Sequence, residues 1–167
     1  MSPGAPGGGG EYLDTGGRKE LLSIARRTVE TYVRDRRVPQ LPPPAGRLSD
    51  PGAAFVTLKK KGSLRGCIGY TEPVEPLYRV VQECAVAAAT EDPRFPPVSP
   101  EELPSIEIEI SVLTPLVPIR PDEVEVGRHG LMVSQGRRRG LLLPQVPVEL
   151  GWDRDTFLDQ TCVKAGL

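Results

Sequence analysis

The sequence predicts an α+β fold, a largely antiparallel sheet with helices packed against it. Three observations carry that prediction. Ile106, Ile108, Ile110 and Val112 alternate with Glu107, Glu109 and Ser111, the period of a strand with one apolar and one polar face. Residues 53–70 read as two strands joined by the turn signal Lys59-Lys60-Lys61-Gly62-Ser63, a β-hairpin. Two other stretches, one from Arg18 and one after Pro76, repeat their apolar residues at helical spacing.

Taken in order, residues 1–17 are rich in Gly and Pro, with a run from Gly7 to Gly10. Such a segment cannot bury enough apolar surface to offset its ordering entropy, so a flexible tail is expected, followed by a single domain over 18–167. Leu21, Ala25, Thr28, Val29 and Tyr32 form the stripe of the first helix, which Leu22 and Val33 widen. Asp14 or Thr15 is placed to cap it, and Arg26, Arg27, Glu30 and Arg34 are expected to face away. The proline-rich stretch 39–44 ends this helix as an extended connection. In the hairpin, Ala54, Val56 and Leu58 alternate with Phe55, Thr57 and Lys59, and the second strand is Leu64–Tyr70, read as buried.

Pro73 and Pro76 open a second helix with the stripe Leu77, Val80, Val81, Cys84, Ala85 and Ala88. Its alanines allow close packing on the sheet, and Cys84 is expected in the core. Asp92–Pro97 reads as a rigid loop. Ser99-Pro100-Glu101-Glu102 reads as an N-cap, a proline at the first position and acids in a short helical turn. Beyond the alternating strand, short strands are expected at Val124–Val126, Leu131–Ser134 and Leu141–Val146. A last helix from Asp153 or Asp155 carries Phe157, Leu158, Thr161, Cys162 and Ala165, with Gly166 placed as its C′ residue.

The bulk properties exclude some classes. A net charge of −1 gives no overall attraction to nucleic acid or an anionic membrane. No apolar run approaches the roughly 20 residues that span a bilayer, so no membrane partner is expected. Met1–Gly10 has no basic or hydrophobic region and is not a secretory signal. Three widely spaced cysteines fit reduced thiols and a cytoplasmic location.

The stretch Leu64-Arg65-Gly66-Cys67-Ile68-Gly69-Tyr70 is the centre of the chemical reading. Gly66 and Gly69 weaken a strand, and a sequence that carries that cost twice often has a bulge or a close approach to its backbone. Cys67 is then either an inert buried cysteine or a nucleophile, with Arg65 two residues away sharing its face unless a bulge intervenes. A nucleophile would want a base, and the single histidine, His129, is the candidate. Its bland reading is a turn residue at positive φ. Glu107 and Glu109, about 7 Å apart by strand rise, would divide acid and base roles, bind a hard cation with waters, or simply line a solvated face, whose sign would matter if Arg65 or Arg94 lay opposite. Gly66, Gly69, Arg94 and Gln145, the last held between prolines, are the expected binding residues. No short Cys-x-x-Cys spacing supports a metal site. Lys59–Lys61 and Arg137–Arg139 are basic turns that would suit nucleic acid only if they met, and aromatics for base stacking are scarce. Trp152, the only tryptophan, is expected to pack in the core or between subdomains.

LRGCIGY resembles the signature of the AMMECR-type domain family, which has a human member from the Alport-syndrome chromosomal region and prokaryotic members known as protein A of the AmmeMemoRadiSam system. Ser111-Val112-Leu113-Thr114-Pro115-Leu116, Leu143-Pro144-Gln145-Val146-Pro147, Gly151-Trp152-Asp153 with Phe157-Leu158, and Thr161-Cys162-Val163-Lys164-Ala165-Gly166-Leu167 agree with it in order. The resemblance implies a larger and a smaller subdomain with a cleft between, and places LRGCIGY near that cleft. It implies no required metal or cofactor. Family members usually continue past the position of Leu167, so a shortened final element is expected. By similarity of context, the chain would act with a radical-SAM enzyme and a Memo-type protein, as an enzyme or accessory subunit using Cys67 as nucleophile or sulfur donor helped by Arg65. The other class is a non-catalytic module that binds a protein or nucleic acid.

Overall fold

A computed structural model describes residues 12–167. The tail expected over 1–17 lies outside these residues as far as position 11. Its last three residues are not tail: helix α1 runs over Thr15–Asp35, because Asp14 accepts the Gly17 N–H at 2.6 Å and starts the helix there. The order continues β1 Pro51–Lys60, β2 Ser63–Pro76, α2 Leu77–Thr90, β3 Ile106–Leu113, β4 Leu131–Gln135, β5 Arg138–Leu142, α3 Gln145–Leu150 and α4 Arg154–Lys164. The chain divides into two compact units, with the break after Leu113.

The first unit, Leu13–Leu113, holds α1, α2 and a three-stranded antiparallel sheet ordered β2-β1-β3. Lys61 and Gly62 both take positive φ, as a two-residue hairpin loop requires. Ala54, Val56 and Leu58 point to the helices and are fully buried. The predicted stripe of α2 is buried as well. Cys84 is fully enclosed, and burial pushes its thiol up to about 12. Gln82 of α2 donates to the Thr28 hydroxyl of α1 and to the Pro39 carbonyl, which ties the two helices and the extended connection together.

Several expectations change here. Ile24, not Leu22 or Tyr32, completes the buried face of α1; Leu22 is exposed. Arg26 does not face away: its guanidinium donates to the Leu103 and Ile106 carbonyls where the chain turns into β3. The strand β2 is buried only at its middle, since Leu64 and Tyr70 are exposed. It also runs on to Pro76, and its register against β1 breaks between Tyr70 and Glu75.

The second unit, Thr114–Leu167, has a β4-β5 hairpin, α3 and α4. Its core is Val124, Leu131, Leu142 and Phe157, with Trp152 packed against them as expected. Val124–Val126 is not a strand. Two valines are too short a pattern, and the chain there is a single turn of 3-10 helix over Pro121–Glu123 followed by a turn. The strand expected to Val146 stops at Leu142, and Gln145 begins α3. Pro147, read as the break after that strand, instead falls in the first turn of α3, where proline is tolerated because its missing N–H would have no partner. Asp153 caps α4, accepting from Thr156 at 2.8 Å, and Gly166 closes it at positive φ. No described helix is long and apolar enough to cross a membrane.

Candidate functional site

Cys67 lies on β2 directly opposite Thr57 of β1, which in turn faces Glu109 of β3. Opposed residues of an antiparallel pair share a face. The thiol is therefore on the sheet face away from the helices, with Thr57, Lys59, Glu107 and Glu109. The Thr57 hydroxyl and Cys67 Sγ are 3.3 Å apart, and the cysteine is half-buried.

The two glycines around it answer to close approaches. A methyl group at Gly66 would fall on the Ala88 carbonyl oxygen of α2, and one at Gly69 on the Phe55 ring. The expected bulge is present too. Leu58 faces Gly66 and Lys59 faces Leu64, which leaves Arg65 as the extra residue of β2.

That bulge sends Arg65 to a partner other than the thiol. Its guanidinium holds Glu102 side-on, Nε to Oε1 and Nη2 to Oε2, both at 3.1 Å. Lys60 adds a bond at 3.0 Å to Oε1, and the Ser99 N–H adds one at 2.8 Å to Oε2. Arg65, and behind it the Ser99 amide and Lys60, hold the Glu102 carboxyl down to about 2. A carboxyl lowered on folding adds stability above its ordinary range of about 4.5 that is lost as pH falls towards 2. The urea midpoint followed by circular dichroism should therefore hold from pH 7 to 5 and drop below 4.5, and Glu102→Gln should flatten that slope; an unchanged slope would sink the assignment.

The strongest contact of the site is Asp92, which the sequence reading passed over as loop. Its side chain is 2% exposed, whereas that of its partner Arg94 is 56% exposed. Asp92 Oδ2 accepts the Cys67 backbone N–H at 3.0 Å and Arg94 Nη2 at 2.7 Å; Oδ1 accepts Arg94 N and Nε, each at 3.0 Å. Arg94 holds this carboxyl well below the usual carboxylate range, against its burial. The loop is thereby fastened to the backbone of Cys67 itself. The bond from Asp92 to the N–H two residues on is a local turn habit of Asp, and Asp-Pro-Arg was the available signal. Phe95 completes the group, with Arg65 and Arg94 at 5.9 and 5.5 Å from its ring centre.

The remaining candidates have settings of their own. Glu107 and Glu109 are exposed, and Glu109 pairs with Lys59 at 3.0 Å. His129 and Gln145 belong to the second unit. His129 is buried, its Nδ1 accepts the Glu125 N–H at 3.1 Å, and Gly127 rather than His129 takes the positive φ of that turn. Gln145 is exposed at the start of α3. The basic turns are also split between the units, and Lys59 and Lys60 are spent on ion pairs. Among the described residues, no three His, Cys, Asp or Glu side chains are placed to hold a metal.

The chain is similar to known proteins over most of its length. A protein of Methanothermobacter thermautotrophicus is 50% identical over 159 residues, 89% of this chain and 82% of that protein. Protein MK0488 of Methanopyrus kandleri is 46% identical over 168 residues, 95% and 81% of the two chains. The crystal structure of Uncharacterized Protein PH0010 from Pyrococcus horikoshii matches with a TM-score of 0.79 at 43% identity, over 90% of this chain and 80% of that one. The AMMECR1 family model matches residues 22–167. The chain belongs to the AMMECR1 family.

Proposed function

We propose that the protein is an enzyme or accessory subunit whose reacting group is the Cys67 thiol. One observation carries this reading: the chain is fixed around a thiol that still reaches solvent. Asp92 holds its backbone N–H, Thr57 holds its sulfur, and two glycines admit Ala88 and Phe55 on either side. An inert core cysteine needs none of this. Cys84, in the same unit, is simply enclosed by packing. From the family resemblance we assign the radical-SAM and Memo-type proteins as partners, to which Cys67 would present or transfer substrate.

A second reading is favoured by one observation. The polar partner of Sγ is a hydroxyl, which is no base, as a non-catalytic module for protein or nucleic acid would allow. Iodoacetamide labelling of the native protein at pH 7, followed by peptide mass spectrometry, separates the two. The thiol reading expects Cys67 to label well before Cys162, which is also half-buried, with Cys84 silent until unfolding. Cys67 labelling only on unfolding would overturn it. Cys67→Ser with intact partner binding, lost instead on replacing Arg137–Arg139, would establish the binding module.

A further inference from the structure

We propose that the Arg65–Arg94 cluster is an oxyanion subsite, so that the substrate of Cys67 is a small molecule bearing a carboxylate or phosphate group. The assignment of a substrate rests on the thiol reading above; the anion site itself does not.

Three features of the cluster point to an anion. Arg65 is about nine-tenths buried, and its Nε and Nη2 are taken up by Glu102. Its third nitrogen, Nη1, is buried with no hydrogen-bond partner among the described residues. In a side-on pair this is the nitrogen turned away from the carboxylate, so the orphan donors point out of the ion pair. A buried guanidinium nitrogen without an acceptor is costly, and an oxyanion supplies that acceptor once the side chains that cover the nitrogen move aside.

The charges do not cancel either. Lys60, Arg65 and Arg94 stand against two carboxylates, Asp92 and Glu102, leaving one positive charge in excess. Finally, the two arginines stand against one ring, Phe95. Arg65 is the inner donor, and Arg94 is the solvent-side charge that draws the anion in. Through Asp92, Arg94 is anchored to the Cys67 amide, which puts the subsite on the same rigid piece of chain as the thiol.

Two measurements test this independently of each other. In the first, chloride is exchanged for inorganic phosphate, and in a parallel series for acetate, at constant ionic strength. The Nε–H signals of Arg65 and Arg94 and the Cys67 amide are followed by nitrogen-15 NMR. The proposal expects a saturable shift of these three, with Arg137 and Arg154 unmoved; the series that saturates at lower concentration names the oxyanion. Arg65→Lys, which keeps a charge beside Glu102 but has no third nitrogen, should abolish the shift at Cys67. No saturable shift of Arg65 in the native protein overturns the proposal, with Nη1 then satisfied by water or by the Phe95 ring.

The second measurement compares labelling of Cys67 by anionic iodoacetate and neutral iodoacetamide. The ratio should exceed that of Cys162 by about three- to tenfold, the effect of one unit charge at a few ångströms in a high effective dielectric. Phosphate should suppress the excess. Arg65 shifts with a thiol inert to both reagents would retain the anion site and discard the thiol reading. A reactive Cys67 with equal ratios and no Arg65 shift would do the reverse.

Discussion

Gly66→Ala should cost the fold about 3 kcal/mol or more, at the upper end of overpacking penalties. The new methyl group would meet a backbone oxygen, that of Ala88, with the rest of that peptide unit just behind it. Neither partner can yield. Ala88 sits on the buried face of α2, and β2 is fixed at this point by its pairing with β1 and by Asp92 on the next residue. A loss of this size is a large share of a domain's usual 5–15 kcal/mol. Gly69→Ala makes a useful comparison. Its new methyl group would meet the root of the Phe55 ring and, just behind it, the Ala54 carbonyl oxygen, so a loss of about 2–3 kcal/mol is expected, nearly as large. Urea denaturation of both variants decides the matter; Gly66→Ala within 1 kcal/mol of the parent would mean that α2 and β2 are not held together as described.

Arg94→Ala should also be damaging, and worse than Asp92→Asn although both break the same ion pair. The difference lies in what is left behind. Asp92→Asn leaves an exposed guanidinium in water and keeps one acceptor, for the Cys67 N–H or the Arg94 N–H but not for both. Arg94→Ala leaves a carboxylate, 2% exposed while the arginine covers it, with backbone N–H groups alone. Water can take the place of the arginine, so the stranded charge costs about 1–2 kcal/mol, less than a fully buried one. The pH dependence follows with a definite sign. Without Arg94 the largest influence that lowers the Asp92 carboxyl is gone, so protonation costs the variant less than the parent and the deficit should shrink as pH falls from about 4 to 2. A deficit that is constant over this range would show that lost packing, not the stranded charge, is responsible.

Much of the fold could be read locally. The alternation of β3, the stripe of α2, and the caps at Asp14, Ser99 and Asp153 each depend on residues within a turn or two. The misreadings were local as well: a strand carried to Val146 where α3 starts at Gln145, and two valines taken as a strand. The site was half legible. Glycines flanking a cysteine announced a bulge and close approach, and both exist. What could not be read was the company Cys67 and Arg65 keep. Asp92 is 25 positions from Cys67 and Glu102 is 37 from Arg65. Each is also an ordinary residue in its own setting, an acid in a loop and an acid in a helical first turn. Only the packed sheet makes them partners.

The strand order β2-β1-β3 has a consequence for how the chain comes together. A hairpin such as β1–β2 closes in microseconds. The other edge of β1 must wait for β3, across roughly 50 residues of intervening chain, and long closures are paid for before they are rewarded. Throughout that interval the most buried strand of the sheet has one bare row of N–H and C=O groups, the kind of edge on which a second chain can add. During synthesis the interval lasts until residues 106–113 have left the ribosome, some seconds at ordinary elongation rates. The alternating glutamates of β3 then matter before any function does: they bring charge to an edge that would otherwise recruit its own copies.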